Sequence, residues 1–286
     1  MWVYAAAVQQ VFPSPVSPEP PSSWGGAAEV WSHRRLLLAF VLTDLKNRYL
    51  GSSIGFFWTV VTPLLELVTY TFVFHGLIGV TFEPGKGVWH YALFLFCGMV
   101  TWLGVADAVN RATPSIKDSA HLIKKVNFPA IVLPAHMVAS AMLNQILRLC
   151  VLILAVALIG PGLSWTLLLV PFFVLVQHVF TLGIGLLLST VNVYFRDTAH
   201  WTNAVLMLWM FVTPIFYPAA VYPARYNLLL QLNPLAHIVG VFQELIMNQR
   251  LPQSNSMLVS CLVALFSLLA GYSVFSYHRE RFADLV

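Results

Sequence analysis

Long apolar stretches alternate with short polar ones six times along this chain. The hydrophobic runs cover about residues 54–80, 88–109, 128–159, 165–192, 201–217 and 257–277, and the joints between them are rich in Lys, Arg, Pro and Asn. Roughly 20 apolar residues at about 1.5 Å rise each cross the hydrocarbon core of a bilayer, so each run predicts a membrane-spanning helix. The segment ahead of the first run, EVWSHRRLLLAFVLTDLKNRYLGSS, has a different pattern. Trp31, Leu38, Val41, Leu42, Leu45 and Tyr49 recur at helical spacing, while His33, Arg34, Arg35, Lys46 and Arg48 fall mostly on other faces. Such a helix, over about residues 29–50, buries its apolar stripe at the lipid boundary and points its cations at phosphates. The pattern predicts an all-α integral membrane protein with six transmembrane helices and an N-terminal amphipathic interface helix.

Composition supports this independently. Of 286 residues, 59% are hydrophobic and only 9% charged, more apolar surface than one soluble core could hide. A net charge of +4 would suggest nucleic acid in a soluble protein, but here the placement of the cations matters more than their sum. Six spans put both termini on one side. That side carries eleven of the 15 Lys and Arg, the other holds Lys86, Arg225 and Arg250, and Arg148 lies inside a span. The positive-inside rule then makes both termini cytoplasmic. Cys97, Cys150 and Cys261 fall inside apolar runs without metal-ligand spacing, as buried thiols do. Residues 1–28, with FPSPVSPEPPSSWGG, lack the basic and apolar regions of a cleaved signal. They are expected to form a disordered tail, with a start codon further downstream as the alternative.

Two connecting segments stand out. RATPSIKDSAHLIKKVNFP, between the second and third spans, offers Thr113 as an N-cap, Pro114 as a first helical residue, and Lys124 and Lys125 at a helix C-terminus. It is either a short cytoplasmic docking helix or a solvated positive loop. Residues 218–256 are too apolar for a free loop, yet Pro223 and Pro234 break them. Asn233 as N-cap with Pro234 behind it starts one short helix, and Pro223 another, over about 219–250. Re-entrant half-helices in the outer leaflet would form an exit gate, since irregular backbone at that depth must be packed or face water. A helical hairpin on the outer surface is the alternative.

Intramembrane charges are costly and need a reason. Glu66 and Arg148 reach similar depths, so they either pair across helices or contact backbone and water separately. His75, His136 and His178 share no motif and are expected to be neutral and hydrogen-bonded. Aromatic residues crowd the first span at Phe57, Trp58 and Tyr70 and the fifth at Trp201, Trp209, Phe216 and Tyr217. They are interfacial belts and core packing, or rings lining a path where flat faces stack on sugars. Catalytic motifs do not appear. The sequence has no Gly-rich phosphate loop ending in Lys and Ser or Thr, no metal-binding DxD pair and no acyltransferase His-Asp spacing, and its G-x-S-x-G string, GSSIG at residues 51–55, falls between two helical patterns rather than on the strand-to-helix turn that an elbow needs. It reads as a non-catalytic chain that moves something, which leaves a membrane-embedded transferase or a plain membrane anchor as distant alternatives.

The residues also carry a family resemblance. LLLAFVLTDLKNRYLGSSIGFFWTVVTPLLELVTYTFVF resembles the N-terminal signature of ABC-2 type permeases that export polysaccharides, with Thr62 where Asn is common before the proline. IKKVNFPAIVLPAHMVAS, STVNVYFRDTAHWTNAVLMLWMFVTPIFYP and LNPLAHIVGVFQELI follow in the family's order, covering about residues 29–280. The first 28 residues have no counterpart there.

The resemblance implies a homodimeric half-channel in a bacterial inner membrane, paired with two separate nucleotide-binding subunits that hold ATP and Mg. Its implied cargo is an undecaprenyl-diphosphate-linked glycan, O-antigen foremost; capsule, teichoic acid, or a drug or lipid are the alternatives within the fold. Arg34, Arg35, Lys46 and Arg48 would hold the diphosphate headgroup. Pro114, Ser115, Ile116, Lys117, Asp118 and His121 would contact the ATPases. Phe57, Trp58, Tyr70, Trp201, Trp209, Phe216 and Tyr217 would line the path, and Tyr222, Arg225, Tyr226, Asn233 and Pro234 would gate it.

Overall fold

The computed structural model describes residues 30, 32–49, 57–77, 79, 87–125, 128–219 and 222–286. The expected tail over 1–28 and the first residues of the first span lie outside them. Helix α1 (Arg34–Tyr49) precedes α2 (Trp58–Thr71), which runs on into a π-helical turn, Phe72–Leu77. α3 (Val88–Ala112) is followed by two short helices, α4 (Ser115–Asp118) and α5 (Ala120–Lys125), and then by α6 (Val132–Ile159). A 3-10 turn, Trp165–Leu169, leads into α7 (Val170–Tyr194), and α8 (Thr198–Val212) comes next. α9 (Asn227–Leu232), α10 (Pro234–Ile246), α11 (Ser254–His278) and α12 (Phe282–Leu285) complete the order. Every regular element among the described residues is helical.

Among the described residues, five segments are long and apolar enough to cross a membrane: Val60–Leu77, Val88–Ala112, Val132–Ile159, Trp165–Tyr194 and Ser254–Leu285. The chain is a multi-pass membrane protein. The fifth expected span, 201–217, is instead the 15-residue α8, which starts three residues earlier and stops at Val212. Pro214 explains the stop, because a residue before proline is pushed out of the helical region and Thr213 sits at ψ 137. The third span likewise starts at Val132 rather than 128, beyond Pro129.

Packing is uneven. α3 lies at the centre and is enclosed on nearly all faces from Tyr91 to Trp102, in a core shared with α6, α7 and α10. α7 and α11 touch backbone to backbone. A Cβ on Gly271 would lie 2.0 Å from the Gly183 carbonyl oxygen, and one on Gly183 would lie 2.2 Å from the Ser267 carbonyl carbon. Small residues let membrane helices approach this closely, and the Ser267 hydroxyl adds a 2.9 Å bond to the Phe180 carbonyl. Gln145 of α6 and Gln177 of α7 exchange amide hydrogen bonds at 2.8 and 3.0 Å, and Gln177 also donates to the Thr101 carbonyl of α3 at 3.1 Å. This buried three-helix clamp fits only because residue 104 lacks a side chain, since a Cβ there would lie 1.9 Å from Gln145 Oε1. By contrast, among its described side chains α2 buries only Pro63, and α8 buries only Thr202 and Leu206.

A second, smaller core closes one end of the bundle. Leu36 and Phe40 of α1, Ile116 of α4, Ile131 to Leu133, Val193 of α7, Phe275 of α11 and Phe282 of α12 meet there. Both the N-terminal helix and the C-terminus therefore lie at this end. It is also the end that carries Arg48, Arg111, Lys117 and Arg196.

Candidate functional site

The basic end is organised by two similar pentapeptides, DLKNR in α1 and DAVNR in α3. Each puts Asp and Arg one helical turn apart, on one face. Arg48 Nη2 donates to both carboxylate oxygens of Asp107 at 2.9 and 3.0 Å, and Arg111 donates to Asp44, whose other oxygen lies 3.6 Å from Arg48 Nε. The arginines are thus exchanged between the helices. Arg48 was expected at a lipid headgroup, but this four-residue lattice takes its guanidinium instead. Arg34, Arg35 and Lys46 remain exposed.

The segment expected to dock a partner is partly turned inward. Ser115 and Ile116 are buried, the first donating to the Ala112 carbonyl at 2.7 Å and the second plugging the smaller core. Neither is available to a docking partner in this arrangement; Pro114, Lys117, Asp118 and His121 keep exposed surface. Thr113 does not cap the helix, because its hydroxyl bonds back to the Val109 carbonyl at 2.7 Å and Pro114 occupies the N-cap. Burial, and then the nearby Arg196 guanidinium, hold the Lys117 ammonium below its usual range. Burial raises the Asp118 carboxyl.

At the opposite end, α10 begins as its sequence predicts. Asn233 Oδ1 accepts from the Leu235 N–H at 3.0 Å with Pro234 at the first position. The same oxygen accepts from the Trp209 indole at 2.8 Å, and Asn233 Nδ2 donates to Thr213 Oγ1 at 3.1 Å. A residue expected in a gate and a ring expected in a path thus share one acceptor atom. The far end of α10 is tied to the bundle where Thr166 donates to the Leu245 carbonyl at 2.7 Å and Gln249 to the Gly162 carbonyl at 2.7 Å. α10 is packed into the main core. Pro223 starts only a 3-10 turn, Ala224–Tyr226, and the six-residue α9 after it buries nothing.

The expected path residues separate into groups. Tyr70 of α2 meets Phe216 at 5.4 Å between ring centroids, and Phe216 stacks on Phe211 at 5.7 Å. Phe216 itself is buried, so within one chain it supports the neighbouring rings rather than presenting a surface. Tyr217 lies 5.9 Å from Tyr222 and donates to the Phe211 carbonyl, while Arg225 sits 4.7 Å over the Tyr226 ring. Phe57, Trp58 and Trp201 stand exposed. His136 and His178 each donate from Nδ1 to the carbonyl four residues back, at 2.9 and 2.8 Å, but each Nε2 is enclosed without a partner, so they are only half satisfied. Of the thiols Cys97 is buried, whereas Cys150 is exposed on the outer face of α6.

Sequence reading missed Asp44, Asp107 and Arg111, although the repeated D-x-x-N-R spacing was visible. It also missed the Gln145–Gln177 clamp, where no local signal distinguishes a partnered glutamine from a path-lining one.

Residues 35–247 match the family described as ABC-2 type transporter. The chain is 32% identical to the O-antigen export system permease protein RfbA of Myxococcus xanthus over 260 residues, covering 90% of this chain and 98% of that one. It is 31% identical to the protein of the same name from Klebsiella pneumoniae over 88% of this chain and 95% of that one. To the polysialic acid transport protein KpsM of Escherichia coli it is 20% identical, over 85% and 93% of the respective lengths.

Proposed function

The chain belongs to the ABC-2 type transporter family, and from that footing we propose that it is the transmembrane subunit of an ATP-driven exporter of lipid-linked polysaccharide. The cargo is O-antigen carried on undecaprenyl diphosphate. The observation that carries this reading is similarity along almost the whole chain to permeases named for O-antigen export, above 30% identity in two organisms. Capsular polysaccharide is the second reading, favoured by the lower similarity to a polysialic acid transporter.

In this reading α8 completes a sixth crossing of the inner membrane and both termini are cytoplasmic. Two copies of the chain form the channel, and two copies of a separate ABC ATPase bind ATP and Mg beneath it. The ATPases dock on Pro114, Lys117, Asp118 and His121. Their closure is passed on through Ile116, which ties the docking region into the smaller core, and through the Arg48–Asp107 lattice, which joins α1 to α3. Arg34, Arg35 and Lys46 attract phosphate at the inner surface. The glycan passes exposed rings such as Trp58 and Trp201, held by stackings of about 0.5–1.5 kcal/mol each, weak enough to let it slide. α9 and α10 gate the exit through the Trp209–Asn233 bond.

Deleting the gene in its native host and following lipid-linked glycan by leaflet tests this. Polymer accumulating on the inner leaflet beneath a bare surface is the expected result. Unchanged surface glycan with no accumulation would reject polysaccharide as cargo.

A further inference from the structure

Two adjoining concavities flank the start of α8. One, of about 510 Å³, lies in the α7–α8 turn and is lined by Tyr194, Phe195, Arg196 and Asp197. The other, of about 180 Å³, is a groove between α8 and the faces of α3 and α7, walled by Val105, Val109, Ile184, Leu188, Val205 and Leu206. They share Thr198 and Trp201, so a polar mouth opens directly into an apolar slot.

The slot offers nothing polar to its occupant. The Thr198 hydroxyl donates to the Phe195 carbonyl and the Thr202 hydroxyl to the Thr198 carbonyl, both at 2.7 Å, which leaves their methyl groups as lining. From Trp201 to Trp209 the slot follows eight residues of helix, about 12 Å at ~1.5 Å per residue. That length lies within one leaflet of a core ~30 Å thick. At the mouth the turn presents Arg196, with Asp197 next to it. Arg favours phosphate through its planar donors.

We infer that the groove between α3, α7 and α8 holds the polyprenyl chain of the lipid-linked cargo, with its diphosphate at Arg196. The inference rests on the export reading above for the identity of the lipid, and moves the diphosphate from the α1 cations to the α7–α8 turn. The chain threads behind α8, and the glycan beyond the diphosphate is left at the inner surface, level with the start of the path. α8 buries only two side chains against the bundle, so it can shift to admit a branched chain.

The test uses the full chain in lipid nanodiscs and a benzophenone-bearing farnesyl diphosphate as the photolabel, with labelled peptides mapped by mass spectrometry. Label concentrated on residues 184–209 is the expected result. Leu188→Trp and Val205→Trp, which fill the slot from opposite walls, should each lower that labelling about tenfold. The map of the unmodified protein stands even if one variant fails to fold. Label spread over the exposed face of α2 would overturn the inference. So would equal competition by phosphatidylglycerol, which would make this a phospholipid groove, and so would a Leu188→Cys crosslink between two copies, which would put a second chain there. The two readings fail separately. A bare surface on gene deletion with no label at the groove removes this inference alone, whereas unchanged surface glycan removes the export reading and leaves the labelled groove standing.

Discussion

Arg48 of α1 places one guanidinium nitrogen 2.9 and 3.0 Å from the two carboxylate oxygens of Asp107 in α3. Each side chain is about a quarter exposed, so the pair is neither a screened surface contact nor a fully desolvated one. It fastens the interfacial helix to the most enclosed helix of the bundle.

Losing that fastening should be reparable by exchange. Arg48→Ala or Asp107→Ala should each cost roughly 1–3 kcal/mol, the range for charge-assisted hydrogen bonds, toward the lower end because water reaches both groups. Arg48→Asp combined with Asp107→Arg should recover most of the loss in thermal unfolding. A double variant no better than the singles would show that only the surrounding lattice matters.

Adding one methyl group where α7 meets α11 should be far worse than removing the hydrogen bond beside it. Gly271→Ala must move the Gly183 carbonyl, which the Cβ would approach to 2.0 Å. Overpacking of this kind costs about 1–3 kcal/mol and sometimes more. Ser267→Ala removes a single interhelical bond worth about 0.6 kcal/mol. The yield of folded protein after detergent extraction should fall sharply for the first variant and little for the second.

The glutamine clamp makes a conditional prediction. Gly104→Ala collides with Gln145 Oε1, so it should destabilise the wild-type background but be largely tolerated beside Gln145→Ala. In the double variant Gln177 still donates to the Thr101 carbonyl. Unfolding midpoints of the four-member cycle give the coupling, and a cycle that simply adds would mean the glycine is there for another reason.

At the other end of the bundle, Asn233→Ala removes the cap of α10 and the acceptor for Trp209 together. An N-cap loss alone costs about 1 kcal/mol, and the buried indole N–H adds to it. Thr213→Val spares both bonds to Asn233 Oδ1 and should be mild. Limited proteolysis between residues 213 and 233 should accelerate for Asn233→Ala and not for Thr213→Val; equal rates would separate the cap from local order.

Helix periodicity made most of this architecture legible. The apolar runs located α2, α3, α6, α7 and α11, and the Asn-Pro pair located the start of α10. What periodicity does not encode is the neighbour across a helix interface. Ile116 in a polar, basic loop looks like surface until α1 and α12 are seen to close over it. Arg48 looks like a phosphate ligand until Asp107, 59 residues away, is found to hold it. Phe216 belongs to a plausible aromatic lining by composition, yet Pro214 ends α8 and the chain folds that ring inward. A local breaker was visible in the sequence, but the direction of the chain after it was not.

The uneven packing divides the molecule into a stator and a rotor. Where α7 and α11 lie backbone against backbone, no side chain can yield, so that seam resists shear and takes up reaction force. α2 and α8, with three buried side chains described between them, have few contacts to break. In the exporter proposed above, each cycle of a partner ATPase coupled at the basic end would be spent on moving two lightly held helices. The work per stroke would be set by how little they grip rather than by how firmly the rest is held.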